Sequence, residues 1–244
     1  MHFNIFQIGV GGTGSYLVVP MKKFLDSLIK SDNTINYILI DNDIVEEKNV
    51  LRQYFNKDDI GKYKCEIFND REYILSITER LDKRIFNLLI NKLKESNNDN
   101  TINIIIGCVD TIQSRLDIAK LLKLYHTKSN KIYPTFYVDS GNFIDTGQSY
   151  VFDYSKKNAN DIEEEINKIF NNDEFAIKMD KELPSCTNNG DQSIAANFQA
   201  ASLLYNIVTE ILSYHTTSVQ RISFTRYSRD INYNAVEQLQ RGCI

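Results

Sequence analysis

The sequence predicts an α/β fold in which a mostly parallel sheet carries helices on both faces. Apolar segments of strand length alternate with periodic segments of helix length, a glycine-rich turn follows the first apolar segment, and acidic residues follow the next ones. A strand, a glycine turn, a helix and a second strand form a βαβ unit, whose crossover is right-handed in nearly all proteins. The predicted class is a Rossmann-like, doubly wound sheet with an antiparallel C-terminal extension.

The elements are predicted from hydrophobic periodicity in chain order. In the first half, strands are predicted at 3–10, 36–40, 102–109 and 135–139, and helices at 15–30 and 113–126. After residue 148 the pattern changes, and it predicts the following elements: a strand at 151–154 that turns antiparallel, a surface helix at 158–172, a loop or crossover segment at 175–191, a long apolar helix at 193–214 and a last strand at 220–225.

Composition excludes several classes of protein. The 42% of hydrophobic residues can bury a sizeable core, and the formal net charge of -4 argues against a general nucleic-acid binder, which needs a basic surface. No apolar stretch reaches the length of a membrane span, and no basic export signal precedes the glycine turn. The cysteines are far apart and form no CxxC pair, which predicts neither disulfides nor zinc and favours a cytoplasmic protein; they are Cys65, Cys108, Cys186 and Cys243.

The stretch "IGVGGTGS" contains Gly9, Gly11 and Gly14 in the spacing G-x-G-x-x-G between a strand and a helix. This arrangement lets backbone N–H groups approach phosphate oxygens at a helix N-terminus. Asp41, at the end of the next strand, can accept hydrogen bonds from ribose hydroxyls. The motif fits NAD and ATP equally well.

The segment after Asp41, "DNDIVEEKNVLRQYFNKDDIGKYK", is rich in polar groups where a dehydrogenase usually has an ordinary crossover helix. Attack of a carboxylate on the α-phosphate of ATP builds negative charge, which fixed cations stabilise. Arginine can bind two phosphate oxygens and lysine acts as a point charge. The alternative is a solvated helix of mixed charge. The candidate polar residues are Asp43, Asn49, Arg52, Gln53 and Lys64.

Four stretches together resemble the ThiF/MoeB superfamily of ubiquitin-activating-enzyme-like adenylyltransferases: "GVGGTGS", "DNDIVEEKNVLRQ", "DIGKYK" and "CVDTIQSR". The resemblance covers about the first 150 residues well and the rest loosely. It implies ATP- and Mg²⁺-dependent adenylation of the C-terminal carboxylate of a small ubiquitin-like protein by a homodimer. It also implies a single adenylation domain over 1–244, with a nucleotide-binding core in 1–150 and the crossover segment, long helix and last strand in 151–244.

The resemblance assigns a role to each matching position. Arg52 and Lys64 would contact phosphates, Asp41 would bind the ribose, and Asp43 would lie beside the nucleotide. The full set of implied nucleotide contacts is Gly9, Gly11, Gly12, Gly14, Asp41, Asp43, Asn49, Arg52, Gln53 and Lys64.

Two further residues match the stretch after the third predicted strand. Asp110 matches the family's Mg²⁺-associated aspartate, and a hard cation of this kind is usually shared between one carboxylate and substrate phosphates. Its position after a strand also fits a helix N-cap, and the two roles are compatible. Arg115 matches an arginine that we take to be partly structural.

The second half resembles the ThiF proteins of PRTRC-type bacterial gene systems, through "YVDSGNFIDTGQSYVF" and "LPSCTNNGDQSIAANFQAA". This resemblance places residues on the far side of the site, along a channel for a C-terminal tail; they are Asp139, Gly141, Asn142, Gly147 and Gln148. Cys186 falls in the crossover region where ubiquitin-activating relatives carry a thioester-forming cysteine, so it is a candidate nucleophile, with a purely structural role as the alternative. Cys65 and Cys108 are predicted to be packing residues.

Two departures from the family and two alternative functions accompany this prediction. The chain lacks the paired CxxC zinc ligands of many members, and an arginine that an N-terminal helix would supply to the partner subunit must come from elsewhere or be missing. An NAD(P)-dependent oxidoreductase would leave Arg52, Lys64 and Asp110 without an obvious role. A binding module that holds a ubiquitin-like partner without turnover should have lost some of them.

Overall fold

The computed structural model of the chain describes residues 1–96, 100–128, 133–142, 146–156, 159–172, 194–225 and 231–235. Its eight strands are β1 (His2–Ile8), β2 (Thr34–Ile40), β3 (Ile74–Ile77), β4 (Thr101–Gly107), β5 (Thr135–Asn142), β6 (Thr146–Asp153), β7 (Val219–Thr225) and β8 (Ile231–Ala235). Its helices are α1 (Gly12–Ile29), α2 (Glu47–Val50), α3 (Lys83–Ser96), α4 (Ile112–Lys128), α5 (Ala159–Asn172) and α6 (Ile194–Tyr214). Two short 3-10 turns lie at Lys57–Asp59 and Glu66–Phe68.

All described strands belong to one sheet with the order β3-β2-β1-β4-β5-β6-β7-β8. The pairs from β3 through β5 are parallel, and those from β5 through β8 are antiparallel. The predicted fold class is therefore confirmed, including the antiparallel extension that begins with β6.

Helices cover both faces of the sheet, because alternate residues of the parallel strands point to opposite faces. On one face, Phe3 and Ile5 of β1 pack with α1 and α6. On the other face, Phe6 and Ile8 pack with α3, α4 and α5. The central strands β1 and β4 are buried along their whole length and largely apolar on both sides, as is typical of a parallel sheet between helix layers.

A row of polar side chains crosses the amino ends of three neighbouring strands, with Asn4 and Asn103 buried and Asn36 partly buried. Asn4 pairs in register with Asn36 on one side and Asn103 on the other. Asn36 Nδ2 donates to Asn4 Oδ1 at 2.9 Å, and Asn4 Nδ2 donates to Asn103 Oδ1 at 3.0 Å. The amides satisfy one another, so their burial in the sheet is tolerated.

Several elements differ from the prediction. Helix α1 begins at Gly12, three residues before the predicted start, because the glycine turn runs directly into the helix. The short strand β3, the helices α2 and α3 and the strand β8 were not predicted. By contrast, the predicted surface helix forms as α5, and its isoleucine stripe faces the core, where Ile162 and Ile166 are both 0% exposed and pack beside α4.

The predicted segment 175–191 lies outside the described residues. None of the helices in the described ranges is both long enough and apolar enough to cross a membrane.

Candidate active site

Residues predicted for the nucleotide site come from the carboxyl ends of three neighbouring strands. The glycine turn follows β1, Asp41 follows β2 and Asp110 follows β4. The chain leaves β1 toward β2 and β3 and later crosses to β4 and β5 on the other side, so the strand order reverses between β1 and β4. In open α/β sheets, ligands bind outside the carboxyl ends of the strands at this point. The fold thus brings these residues to the expected edge.

The glycine turn begins at a position where the backbone conformation requires glycine. Gly9 has φ of +94°, a conformation that residues with side chains rarely adopt. A Cβ at this position would lie 2.4 Å from the carbonyl oxygen of Cys108. The backbone of the turn therefore packs directly against the end of β4.

Gln7 fixes the turn from below, although the sequence motifs did not single it out. Its Nε2 donates to the carbonyl oxygens of Gly9 at 3.1 Å and Gly14 at 3.0 Å. The hydroxyl of Tyr37 in β2 donates to Gln7 Oε1. Gln7 and Tyr37 are both 0% exposed, so these bonds lie inside the protein. The signal that could have found Gln7 is an amide inside an otherwise apolar stretch of β1.

Asp41 holds two backbone groups at the same edge. Its Oδ2 accepts the N–H of Val10 at 2.6 Å and its Oδ1 accepts the N–H of Asp43 at 2.9 Å. Burial raises the pKa of Asp41 above its ordinary value, while these two hydrogen bonds act in the opposite direction. Each carboxylate oxygen has two lone pairs, so acceptor capacity remains for ribose hydroxyls.

The start of α1 is suited to an anion. Gly11 is the N-cap residue and provides no side-chain cap. The first N–H groups of a helix have no intrahelical acceptor, and the helix dipole adds partial positive charge there. A Cβ at Gly11 would meet only Gln53 Nε2, at 3.9 Å. The N-terminus of this 18-residue helix therefore has a geometry that suits phosphate binding.

Lys64 and Asp43 form an ion pair beside the turn. Lys64 Nζ lies 2.7 Å from Asp43 Oδ2, with the lysine side chain 8% exposed and the aspartate side chain 60% exposed. The backbone N–H of Lys64 also donates to the carbonyl oxygen of Asp43 at 2.9 Å. The ion pair therefore holds the ammonium group of the buried Lys64 next to Asp43, whose side chain is mostly exposed.

Arg52 and Gln53 are placed by the short helix α2. Asn49 Oδ1 accepts the N–H of Glu46 at 2.8 Å, which caps the helix. The carbonyl oxygen of Asn49 then accepts the N–H groups of Arg52 at 3.0 Å and Gln53 at 2.8 Å. Asn49 is 3% exposed, so the structure places it as a support of the turn that carries Arg52 and Gln53.

Asp110 does not cap the helix that follows it. Thr111 takes that role, since its Oγ1 accepts the N–H of Ser114 at 3.1 Å and bonds to the Ser114 hydroxyl at 2.7 Å. Asp110 is exposed at the end of β4. Of its two predicted roles, the N-cap is therefore wrong, and its carboxylate is left facing solvent at the site edge.

Arg115 is buried below Asp110 and joins the ends of β4 and β5. Its Nε lies 2.7 Å from Asp139 Oδ1, and the side chains are 1% and 0% exposed. One terminal nitrogen donates to the carbonyl oxygens of Val109 at 2.6 Å and Ser140 at 3.1 Å. Burial opposes the charge on Arg115, but the ion pair and hydrogen bond with Asp139 outweigh it and raise the arginine pKa.

Residues expected along a tail channel are buried instead. Asp139 is occupied by Arg115 and by the hydroxyl of Tyr137, which donates to Asp139 Oδ2 at 2.8 Å. Gln148 is 3% exposed and accepts a hydrogen bond from Tyr150. Gly141 and Gly147 are also buried, and the side chain of Asn142 lies outside the described set. These strand ends support the site from inside the sheet.

The described cysteines are packing residues. Cys65 is 0% exposed, and its thiol donates to the carbonyl oxygen of Asp41 at 3.3 Å. Burial raises the pKa of Cys65 to about 11 and also raises that of Cys108, so neither forms a thiolate at neutral pH. Cys186 and Cys243 lie outside the described residues.

The described part of the chain contains no group of three or more metal-ligating side chains. A Mg²⁺ ion does not need one, because it usually takes one or two carboxylates and completes its coordination with waters and substrate phosphates. Asp110, exposed beside the glycine turn, fits such a shared site.

The carboxyl edge of the sheet thus combines the glycine turn at the start of α1, the Lys64–Asp43 ion pair and the exposed Asp110, an arrangement suited to binding a nucleotide. The sequence profile of the ThiF family matches residues 2–240. The chain therefore belongs to the ThiF family, which confirms the family resemblance seen in its sequence. No curated protein sequence matches the chain significantly.

Solved structures of E. coli MccB share the fold. MccB with ATP superposes with a TM-score of 0.54 at 19% identity, over 95% of this chain and 62% of MccB. MccB with AMPCPP and selenomethionine-labelled MccA gives 0.54 at 17% identity, over 95% and 63%. MccB by itself gives 0.52 at 16% identity, over 95% and 62%. The chain thus spans somewhat less than two thirds of the length of these structures.

Proposed function

We propose that the protein uses ATP to adenylate the C-terminal carboxylate of a small ubiquitin-like protein. The observation that supports the proposal is the arrangement at the strand ends where the sheet order reverses: the start of α1 follows β1, Asp110 follows β4, and Lys64 pairs with Asp43 just after β2. The turn with Arg52 and Gln53 lies beside Gly11. In an NAD(P)-dependent oxidoreductase, Arg52, Lys64 and Asp110 would have no obvious role.

The reaction is a substitution at phosphorus. A carboxylate oxygen of the substrate attacks the α-phosphorus of ATP, the bond from that phosphorus to the oxygen bridging to the β-phosphate breaks, and pyrophosphate leaves. The product is an acyl-adenylate. Negative charge grows on the phosphate oxygens during this step, and cationic groups that are already in place stabilise it without reorganisation.

The chain's own residues divide this task. The N-terminus of α1 presents N–H groups and the positive end of the dipole to the phosphates. Lys64 supplies a positive charge, and its ion pair with Asp43 holds the ammonium group in place. Arg52 supplies a guanidinium from the turn that Asn49 supports. Asp41 holds the loop and accepts from the ribose.

Asp110 would hold Mg²⁺, which, when bound, neutralises charge on the phosphates and on leaving pyrophosphate. Because Thr111 caps α4, the Asp110 carboxylate does not serve the helix and can serve an ion. Glutamate and aspartate elsewhere do not gather around it in the described part of the chain.

The identity of the substrate is proposed from the similarity of this chain to the MccB structures and to the ThiF family. The MccB structures contain ATP, AMPCPP or MccA, so this fold accommodates a nucleotide together with a second molecule. We propose that the second molecule here is a protein tail, and that the enzyme acts as a homodimer in the cytoplasm, as the family resemblance implies.

ATP–pyrophosphate exchange with the candidate partner tests the proposal. Lys64→Ala should lower exchange by at least about 100-fold, because a fixed cation at the reacting phosphates is lost. Lys62→Ala is a matched control two residues away, since Lys62 has a mostly exposed side chain paired with Asp59 at 3.6 Å. It should stay within about twofold.

An unmutated protein that gives no exchange with its partner would instead indicate a binding module without turnover. A protein that binds NAD and not ATP would indicate the oxidoreductase alternative. Equal losses in Lys64→Ala and Lys62→Ala would contradict the role given to Lys64.

We further propose that Cys186 accepts the activated tail as a thioester, with AMP as the leaving group. Cys186→Ala should then keep pyrophosphate exchange and abolish a covalent adduct that is cleaved by reducing agent, visible on non-reducing gels. Loss of exchange in the same variant would count against a role as acceptor only.

A further inference from the structure

Three segments that are distant in sequence meet around one buried amide. Asn197, in the first turn of α6, is 1% exposed. A Cβ at Gly12 would lie only 2.8 Å from Asn197 Nδ2 and 2.9 Å from its Oδ1. Asn197 Nδ2 also lies 3.5 Å from the carbonyl oxygen of Arg52, to which it donates. The amide therefore lies between the glycine turn at the start of α1 and the turn that carries Arg52.

Aromatic and hydroxyl contacts join the same three segments beside Asn197. The ring of Tyr16 in α1 makes edge contacts with Tyr54 at 5.8 Å and with Phe198 at 6.0 Å between centroids. The N–H of Tyr54 donates to Ser15 Oγ at 3.0 Å, and this hydroxyl donates to the carbonyl oxygen of Gly12 at 3.2 Å. The start of α1, residues 52–54 and the first turn of α6 thus form one junction.

Burying an asparagine at this position costs free energy unless its amide forms specific contacts. Its neighbours on the buried face of α6 are apolar, including Ala196, Ala200 and Leu204. Burial of an amide costs free energy that its hydrogen bonds must offset, and one of these bonds joins Asn197 to the Arg52 carbonyl oxygen at 3.5 Å. An alanine would pack among these neighbours without that penalty. The benefit of the amide is thus better explained by the separation that it fixes between the turn and Arg52.

We infer that Asn197 is a positioning residue for ATP binding, which sets the distance between the glycine turn and Arg52. It does not touch the nucleotide; it acts through the backbone of Gly12 and the carbonyl of Arg52. The inference rests on the proposed function and assigns the second adjacent glycine a reason of its own: Gly12 leaves room for the Asn197 amide.

Equilibrium ATP binding by calorimetry, measured beside urea unfolding, separates positioning from stability. Asn197→Ala should raise the Kd for ATP by about tenfold, because Arg52 is released from its fixed distance. Asn197→Asp keeps the shape but replaces the donor facing the Arg52 carbonyl with a carboxylate oxygen. It should weaken ATP binding at least as much and add a stronger salt dependence.

Leu204→Ala is the matched control. Leu204 is 0% exposed on the same helix and packs in the core that α6 shares with α1. The truncation should lower the urea midpoint at least as far as Asn197→Ala does, yet change the Kd for ATP by less than about twofold. A Kd that follows the urea midpoint in both variants would overturn the positioning role.

A double-mutant cycle tests the contact itself. Gly12→Ala alone should weaken ATP binding, because its Cβ collides with the amide. In Gly12→Ala with Asn197→Ala, the new methyl group enters the space that the amide leaves, so the combined loss should be clearly smaller than the product of the two single losses. Losses that multiply would overturn the inference.

The outcomes remain distinguishable from those for the proposed function. If the unmutated protein binds ATP and Asn197→Ala binds it equally well, only the positioning role fails. If the unmutated protein binds no ATP, the proposed function fails and the positioning role fails with it.

Discussion

Arg115 and Asp139 show how a single buried contact can support a site that neither residue touches. Their ion pair lies under the ends of β4 and β5 with both side chains almost fully buried. The guanidinium also binds the carbonyl oxygen of Val109, directly before Asp110. The pair therefore fixes the peptide from which the exposed Asp110 carboxylate projects.

Arg115→Ala should destabilise the protein by about 3–5 kcal/mol, because Asp139 would be left as a buried, uncompensated charge. The measurement is the free energy of urea unfolding. Lys120→Ala is the control on the same helix, since Lys120 pairs with Asp117 at 3.8 Å and both side chains are about half exposed. It should cost less than about 1 kcal/mol. Similar costs for both variants would contradict the buried charge pair.

His126 gives the protein a defined response to acid. Its ring stacks on Tyr154 with a centroid distance of 4.8 Å and an interplanar angle of 18°, and the residue is 8% exposed. Burial lowers the pKa of His126 to about 4. His126 is therefore protonated below about pH 6.5 in the unfolded chain, whereas in the folded protein it stays neutral down to about pH 4.

Stability from this residue should be complete above about pH 6.5 and lost as the pH falls toward 4, by about 1–3 kcal/mol. Urea unfolding between pH 4.5 and 7.5 measures the slope. His126→Phe keeps an aromatic ring against Tyr154 and removes the proton site, so its profile should be flatter over this window. An unchanged slope in that variant would assign the acid response to other groups.

Sequence motifs indicated the proposed nucleotide contacts more readily than the residues that hold those contacts in place. Asp41, Arg52 and Lys64 stand in recognisable spacings along one segment. Gln7 and Asn197 act through contacts across 7 and 145 positions of sequence, and nothing in the local pattern specifies such partners. The buried pairing of Asp139 with Arg115 was missed for the same reason, so Asp139 was expected at a channel.

At the scale of elements, the start of α4 separates a structural cap from a candidate metal ligand on adjacent residues. Thr111→Ala should destabilise the protein by about 1 kcal/mol, since the N–H of Ser114 loses its acceptor. Asp110→Asn should leave the urea midpoint nearly unchanged and lower Mg²⁺-dependent exchange by at least about tenfold. The reverse pattern in the two variants would return the cap to Asp110.

The prediction of elements depended on how much of each element's burial its own sequence reveals. The parallel strands β1, β2 and β4 were predicted because they are mostly buried on both faces and their sequences are largely apolar. Strand β3 has only four residues and carries the exposed Leu75, so it shows no such run. The isoleucine stripe of α5 was visible, but not the α4 surface that covers it.

At the scale of the whole molecule, the site exists only when the sheet is assembled. Its groups come from the loops after β1, β2 and β4 and from the start of α6, which span most of the described chain. A ligand that joins these loops binds the folded state and not the unfolded chain, so it must stabilise the fold.

ATP at 100 times its Kd should therefore raise the free energy of unfolding by about 2.7 kcal/mol, and NAD at the same concentration should not. Thermal unfolding with each nucleotide measures the difference. Arg52→Ala should reduce the ATP effect at a fixed ATP concentration. Equal stabilisation by the two nucleotides would leave the nucleotide preference unsupported.

Strands β2 and β4 begin with the same three residues, Thr-Ile-Asn, and flank β1 in the same register. An arrangement with β2 and β4 exchanged would keep the asparagine row, because Asn36 and Asn103 both pair with Asn4. The structure distinguishes them through Tyr37, which reaches Gln7 from β2, and through Gly107. At Gly107 in β4, a Cβ would come within 2.1 Å of Asp139, so Ile40 cannot take its place. The contacts that shape the nucleotide site thus also reject a wrong-order isomer of the sheet.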